Sequence, residues 1–260
     1  MSHPRIHFDP FGEPRPAGTT HPMLDELRER CPAFHSGAGH GFWVLTRHED
    51  IVAAYQDAGS HSSRAISVID PDPPYQWIPI MLDPPLHTTW RRLLRPLFTS
   101  ARAAAMRDAV RRRCVELVEG MAAKGSCDFV ADFARRFPTT VFLEFMGLPA
   151  RRLTADADVH GCPMRAGDMV MLPLMMANRD PRVFPDPQTV DFDRAPNRHI
   201  AFGAGPHRCL GAHLARLQLR IALEEWHRRI PDYRIPDGAR PTEHAGLVLG
   251  LDTLPLTWPT

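Results

Sequence analysis

No stretch of the chain is apolar for long enough to span a membrane, and none of the five cysteines, at positions 31, 114, 127, 162 and 209, sits in a CxxC pair. The first absence excludes a transmembrane helix. The second, with an odd count, argues against a disulfide framework and for a reducing cytoplasm. The opening MSHPRIHFDPFGEPRP has no apolar core of the kind a secretory leader needs, so a cytosolic protein is expected. An excess of one charge is missing too. The 31 basic and 30 acidic residues leave a formal net charge of +1, too little for a global field toward nucleic acid or a membrane, although arginines can still cluster locally. Lysine is almost absent: Lys124 is the one copy, and arginine supplies the remaining positive charge. No internal repeat is visible.

What is present suffices for a packed core. At 260 residues and 43% hydrophobic content, the chain can form one large domain or two modest ones. Its 27 prolines fall partly in dipeptides such as those of Asp83-Pro84-Pro85 and Pro185-Asp186-Pro187, which mark loops and helix starts. Residues 1–20 read as an extended proline-rich arm. A helix is expected over residues 21–30 (Met23, Leu24 and Leu27 on one face), a strand over 41–46 and a helix over 47–57. Residues 59–82 show no period. Two amphipathic helices follow, over 100–124 (Val110, Cys114, Leu117, Val118, Met121) and over 127–146. The second carries Phe129, Phe133, Phe137, Val141 and Phe145 at intervals of four, a spacing that predicts core packing.

Two stretches carry chemistry. Residues 202–215, FGAGPHRCLGAHLA, place Cys209 before an apolar-periodic helix (Leu210, Leu214, Leu217, Ile221), where backbone N–H groups and the helix dipole favour a thiolate. Gly203, Gly205 and Gly211 let the backbone take positive φ or lie close to a flat partner, Phe202 offers an aromatic wall, and His207 and Arg208 suit a carboxylate-bearing macrocycle. Three readings of Cys209 follow: an axial ligand, a buried structural thiol, or part of a zinc site with His207 and His213. In the second stretch, Asp83-Pro84-Pro85 launches a helix on which His87 and Arg91, four apart, can reach one anion. The alternative is a solvated basic face continued by Arg92 and Arg95.

The pattern F-x-x-G-x-H-x-C-x-G formed by Phe202, Gly205, His207, Cys209 and Gly211 resembles the haem-binding loop of the cytochromes P450. Residues 83–92 resemble that family's propionate-binding helix, residues 177–187 its meander, and residues 246–256 its terminal hairpin. The resemblance implies a mainly α fold with small β-sheets, P450-like but incomplete, made of segments 1–150 and 151–260 in one domain. It implies haem b (iron protoporphyrin IX) with Cys209 as axial ligand, cofactor contacts from His87, Arg91, Phe202, Gly203, Gly205, His207 and Gly211, and a substrate-facing role for residues 59–82, which otherwise read as a surface connection. Arg151 falls where the family has a further propionate-binding arginine, or else is a linker charge.

At Gly147-Leu148-Pro149-Ala150 the chain departs from the family, passing directly to the late hairpin without the central oxygen-activating helix or the Glu-x-x-Arg helix. Glu225-Trp226-His227-Arg228 meets the second pattern only literally and reads as a solvated face, and Ala17-Gly18-Thr19-Thr20 is an equally poor stand-in for the first. The implied function is a haem-thiolate monooxygenase acting on a small hydrophobic organic substrate, with electrons from a ferredoxin-type donor at Arg92, Arg95, Arg208, Arg216 and Arg220. These arginines have a plainer reading as solubilising charges. The alternative function is a non-catalytic haem-binding remnant.

Overall fold

The computed structural model describes residues 5–139, 150–246 and 249–260. Of the sequence expectations, the start of the arm (1–4), Val141 and Phe145, the junction at Gly147-Leu148-Pro149 and the turn at Leu247-Val248 lie outside the described residues. The arm is pinned by two short strands, β1 (Arg5–Ile6) and β2 (Arg15–Pro16). Helix α1 (Thr20–Arg30) turns Leu24 and Leu27 inward and ends before Pro32, which cannot continue it. β3 (Ala33–Ser36) and β4 (Phe42–Leu45) form an antiparallel hairpin. All four β4 residues are buried, as befits a strand covered on both faces. α2 (His48–Gln56) follows, its first N–H donating to Asp180 Oδ2 at 2.9 Å. β5 (His61–Ser62) precedes an irregular loop that ends at α3 (Leu86–Leu94) and a 3-10 turn, Arg95–Phe98.

The expected helix over 100–124 is two helices, α4 (Ser100–Ala105) and α5 (Arg107–Ala122). Between them Met106 sits at φ −86°, ψ −3°, its N–H shared by the Ala103 and Ala104 carbonyls, and the chain is re-aimed there. The expected helix over 127–146 begins instead as strand β6 (Ser126–Asp128), then a wide helical turn, Val130–Ala134, and α6 (Arg136–Thr139). Asp128 explains the late start, since its carboxylate accepts from Val130 N–H at 3.0 Å and Leu254 N–H at 3.1 Å. The aromatic stripe is core: Phe129, Phe133 and Phe137 follow one another at 5.3 Å, and the first two pack on Trp226.

The later part of the chain supplies β7 (Ala150–Leu153), the hairpin β8 (Ala157–Val159) and β9 (Cys162–Met164), then β10 (Met169–Met171) and α7 (Leu174–Ala177). β7 and β10 insert into the first sheet, giving the order β1-β3-β4-β10-β7-β5, with β10 parallel to β4 and β7 antiparallel to both its neighbours. After the cysteine loop, α8 (Ala212–Arg229) packs on α4 and α5. The chain closes with β11 (Thr242–His244), β12 (Gly250–Leu251) and β13 (Pro255–Thr257). β11 pairs with β2 and β12, and β13 with β6. Buried Glu243 accepts from Gly18 N–H at 2.9 Å and Thr20 N–H at 2.7 Å, so residues 17–20 anchor the arm.

One sequence expectation is overturned on α8. Glu225 is not on a solvated face but 0% exposed, and its carboxylate takes Arg111 from α5 together with Arg228 and Arg229. Burial raises its pKa, but hydrogen bonds from Arg229 and Arg111 and the charge of Arg228 outweigh that and hold it below the ordinary value.

Candidate functional site

The site is assembled where α3, β5, β7 and the cysteine loop meet. Asp83 fixes the start of α3 to the sheet, its carboxylate accepting from the Ser62 hydroxyl and from Ser63 N–H, the latter at 2.7 Å. The His87 N–H then donates to the Asp83 carbonyl at 2.9 Å, and the imidazole turns inward, 2% exposed. From the other side, the short 3-10 turn Gly205–His207 delivers the His207 ring. The two rings stack at 3.8 Å with 26° between their planes. His207 is braced by the Ser63 hydroxyl at 3.0 Å and by the Leu82 carbonyl, so it props His87.

Gly205 is the tightest point. At φ +63°, its missing Cβ would lie 2.1 Å from the Tyr55 carbonyl oxygen, so this loop rests on the end of α2 because glycine is there. Gly203, at φ +72°, meets nothing closer than 3.9 Å and is needed for its backbone conformation alone. Gly211 departs from expectation: at φ −79° it has ordinary geometry, and it serves as the N-cap of α8 and as an N–H donor to Cys209. The loop closes through Cys209 N–H to the Phe202 carbonyl at 2.8 Å.

Arg151 is not a linker charge. It lies in β7, 4% exposed, with its guanidinium 4.9 Å from the centre of the Tyr55 ring. Arg91, half-buried, donates to the Arg208 carbonyl at 2.8 Å. Burial, then the charges of Arg91 and Arg151, push the His87 pKa down to about 4 against the pull of Asp83. Burial first and Arg151 second take His207 to about 2. Four basic side chains thus crowd one buried region in which Asp83, the nearby carboxylate, is already taken up by Ser62 and Ser63. His87 Nδ1 is buried with no hydrogen-bond partner among the described residues. A carboxylate-bearing ligand would satisfy the orphaned nitrogen and meet the positive charge of Arg91 on the same helix.

Cys209 is 7% exposed and lines a pocket of about 400 Å³ together with Arg91, Phe98, Leu210, Ala212 and Arg216. The expectation that the helix start favours its thiolate is not met by the protein groups alone. Burial pushes the thiol up and outweighs the Gly211 N–H and the charges of Arg91, Arg208 and Arg216, and α8 begins only at Ala212, three residues beyond Cys209. A metal cation at the sulfur would supply the missing positive charge. Phe202 is half-buried, and the Arg216 guanidinium lies 4.4 Å from its ring centre. The zinc reading fails. His213 is exposed, and among the described residues the one metal-capable grouping is Glu49, Asp50 and His160, which contains neither Cys209 nor His207.

Sequence reasoning missed Ser62, Ser63 and Tyr55, which act through folded contacts and carry no local signal. Asp83 was visible as a helix starter but not as the clamp between helix and sheet.

The family model described as "Cytochrome P450" matches residues 144–229. The chain is 28% identical to the "Probable cytochrome P450 127A1" of Sinorhizobium fredii, with 99% of this chain and 94% of that protein covered. That alignment runs over 391 positions, whereas this chain has 260 residues, so the likeness is interrupted internally. A "Steroid C26-monooxygenase" of Mycolicibacterium smegmatis is 47% identical over 42% of this chain, which is 27% of its own length. Among solved structures, the crystal structure of CYP101J2 superposes with a TM-score of 0.88 at 21% identity, covering 98% of this chain and 97% of that one. At that identity the likeness fixes the fold, which is P450-like and incomplete in length.

Proposed function

The chain belongs to the cytochrome P450 family, whose cofactor is haem b on a cysteine thiolate, and from that premise we propose that it is a haem-thiolate monooxygenase. It inserts one oxygen atom from O2 into a small hydrophobic organic substrate, with electrons from a ferredoxin-type donor, in a reducing cytoplasm. The observation that carries this reading is that Cys209 shares a pocket with Arg91, on the helix that also bears His87, whose Nδ1 is buried with no partner among the described residues. That juxtaposition supports a cofactor site, and turnover separates a monooxygenase from a non-catalytic haem-binding remnant.

Bound haem, ligated by a thiolate, supplies the electron push that favours O–O cleavage. The chain's own part is to hold and orient it. Cys209 would provide the sulfur ligand, while His87 Nδ1, Arg91 and Arg151 would meet the carboxylates. His207 and Ser63 keep the His87 ring in place. Gly203 and Gly205 set the path of the loop, Gly211 caps α8 beside Cys209, and Phe202 would offer its ring as a wall for the macrocycle. On the substrate side, the loop over residues 59–82 is held by a small core of Ile66, Met81 and Ile80 and exposes Ile69, Trp77 and Ile78, which supports an apolar binding surface. Arg92, Arg95, Arg208, Arg216 and Arg220 are all exposed, and Arg95, Arg208 and Arg216 line the pocket beside Cys209, an arrangement suited to an acidic electron donor.

The test supplies the haem-loaded chain with a ferredoxin, its reductase and 18O2, over a panel of small hydrophobic compounds. One labelled oxygen in a product is expected. Reducing equivalents released entirely as peroxide, with no labelled product from any compound, would contradict monooxygenation.

A further inference from the structure

Four large apolar side chains project along one face of α3 and the turn after it: Leu86, Trp90, Leu93 and Leu97, respectively 55%, 38%, 65% and 59% exposed. Their spacing of four, three and four is that of a single helical stripe. His87, on another face, is held in the site, so the helix is anchored on one side and leaves this stripe in solvent. An apolar patch of this kind marks an interaction surface.

The charge around the stripe indicates what covers it. Residues 84–107 contain Arg91, Arg92, Arg95, Arg102 and Arg107 and not one Asp or Glu. Arg92, Arg95, Arg102 and Arg107 are exposed and make no ion pair among the described residues, whereas Arg30, Arg113, Arg152 and Arg165 are each paired with a carboxylate. The partner is therefore anionic as well as apolar. A second copy of the chain fits poorly, because a two-fold contact through this stripe would bring the same unneutralised arginines together. A folded acidic protein satisfies the arginines through charge, and a variant without the leucines separates it from a partner that needs the apolar row as well. A lipid surface uses both: leucines and tryptophan enter the boundary between headgroups and acyl chains, and arginines stay with the phosphates.

We propose that α3 and the turn Arg95–Phe98 dock the protein peripherally on an anionic lipid bilayer, with Leu86, Trp90, Leu93 and Leu97 inserted and Arg92 and Arg95 on lipid phosphates. No described helix is long and apolar enough to cross a membrane, so the contact is with one leaflet. Arg92 and Arg95 also serve the proposed electron donor. The leucines serve only the lipid, which keeps the two readings separable.

The test is flotation of the haem-loaded chain with vesicles of phosphatidylcholine and phosphatidylglycerol in equal parts, or of phosphatidylcholine alone. Binding to the anionic vesicles is expected, roughly tenfold tighter than to the neutral ones, with a blue shift in tryptophan emission and release at about 0.5 M salt. A Leu93→Ser/Leu97→Ser variant, altered only at exposed positions and checked for an unchanged melting curve, should bind roughly tenfold more weakly. Absence of flotation with anionic vesicles overturns the proposal. So does equal binding by the leucine variant, which would mean adsorption by charge alone and favour an acidic protein at these arginines. Self-association that the leucine variant abolishes, without vesicle binding, would overturn it in favour of a second copy.

Discussion

His87 concentrates the physical logic of the site, because its neighbours make its charged form costly until an anion arrives. Arg91, Arg151 and the His207 ring face it from three elements, and Asp83 opposes them. Its pKa therefore falls from 6.5 to about 4 in the fold, so the unfolded chain binds more protons between these values. Stability of the cofactor-free chain should be full above about pH 6.5 and decline as pH falls toward about 4. Urea titrations across that window check this, and His87→Phe should flatten part of the slope; an unchanged slope would contradict the burial of a neutral imidazole. At this scale the sequence nominated Cys209 and the His87 and Arg91 pair by their spacing. It left Arg151 undecided, because a lone arginine acquires meaning only when β7 is registered between β10 and β5. Ser63 was illegible for the same reason.

At the scale of elements, the cysteine loop and α8 show two kinds of legibility. Glycines in the loop were expected to matter alike, yet the structure separates them. Gly203→Ala should cost about 1–2 kcal/mol for the left-handed backbone. Gly205→Ala should cost clearly more, since its Cβ also collides with the Tyr55 carbonyl. Chemical denaturation of both variants checks this, and equal losses would contradict the close packing of loop on α2. On α8, Leu214, Gln218, Ile221 and Glu225 are all buried. That is a helical face, so Glu225 was legible in the periodicity had its charge not suggested solvent. Removing a buried acid leaves its arginines uncompensated, and Glu225→Ala should cost about 3 kcal/mol, the low end for buried pairs because Arg228 keeps contact with water. A loss below about 1 kcal/mol in a urea titration would mark it as an exposed pair instead. The helix breaks at Met106 and near Asp128 escaped the sequence because hydrogen bonds from distant β-strand neighbours and a local re-aiming of the chain, not propensity, decide them.

At the scale of the whole molecule, the central sheet interleaves strands from both sides of the junction, with β7 and β10 seated between β4 and β5. The site is divided in the same way: His87 and Arg91 come from before the junction, Arg151, His207 and Cys209 from after it. The architecture was legible because the motifs at its two ends are local. The route between them was not, since the register of an inserted strand is fixed by partners far away in the chain. Cofactor capture therefore reports on the assembly of both segments as well as on one sulfur atom. The most direct test is the spectrum of the haem-loaded chain after reduction and addition of carbon monoxide. A strongly red-shifted Soret band that is lost in Cys209→Ala, with secondary structure retained, is the predicted result. An unshifted band in the unsubstituted chain, or a shifted band that survives in Cys209→Ala, would contradict the account.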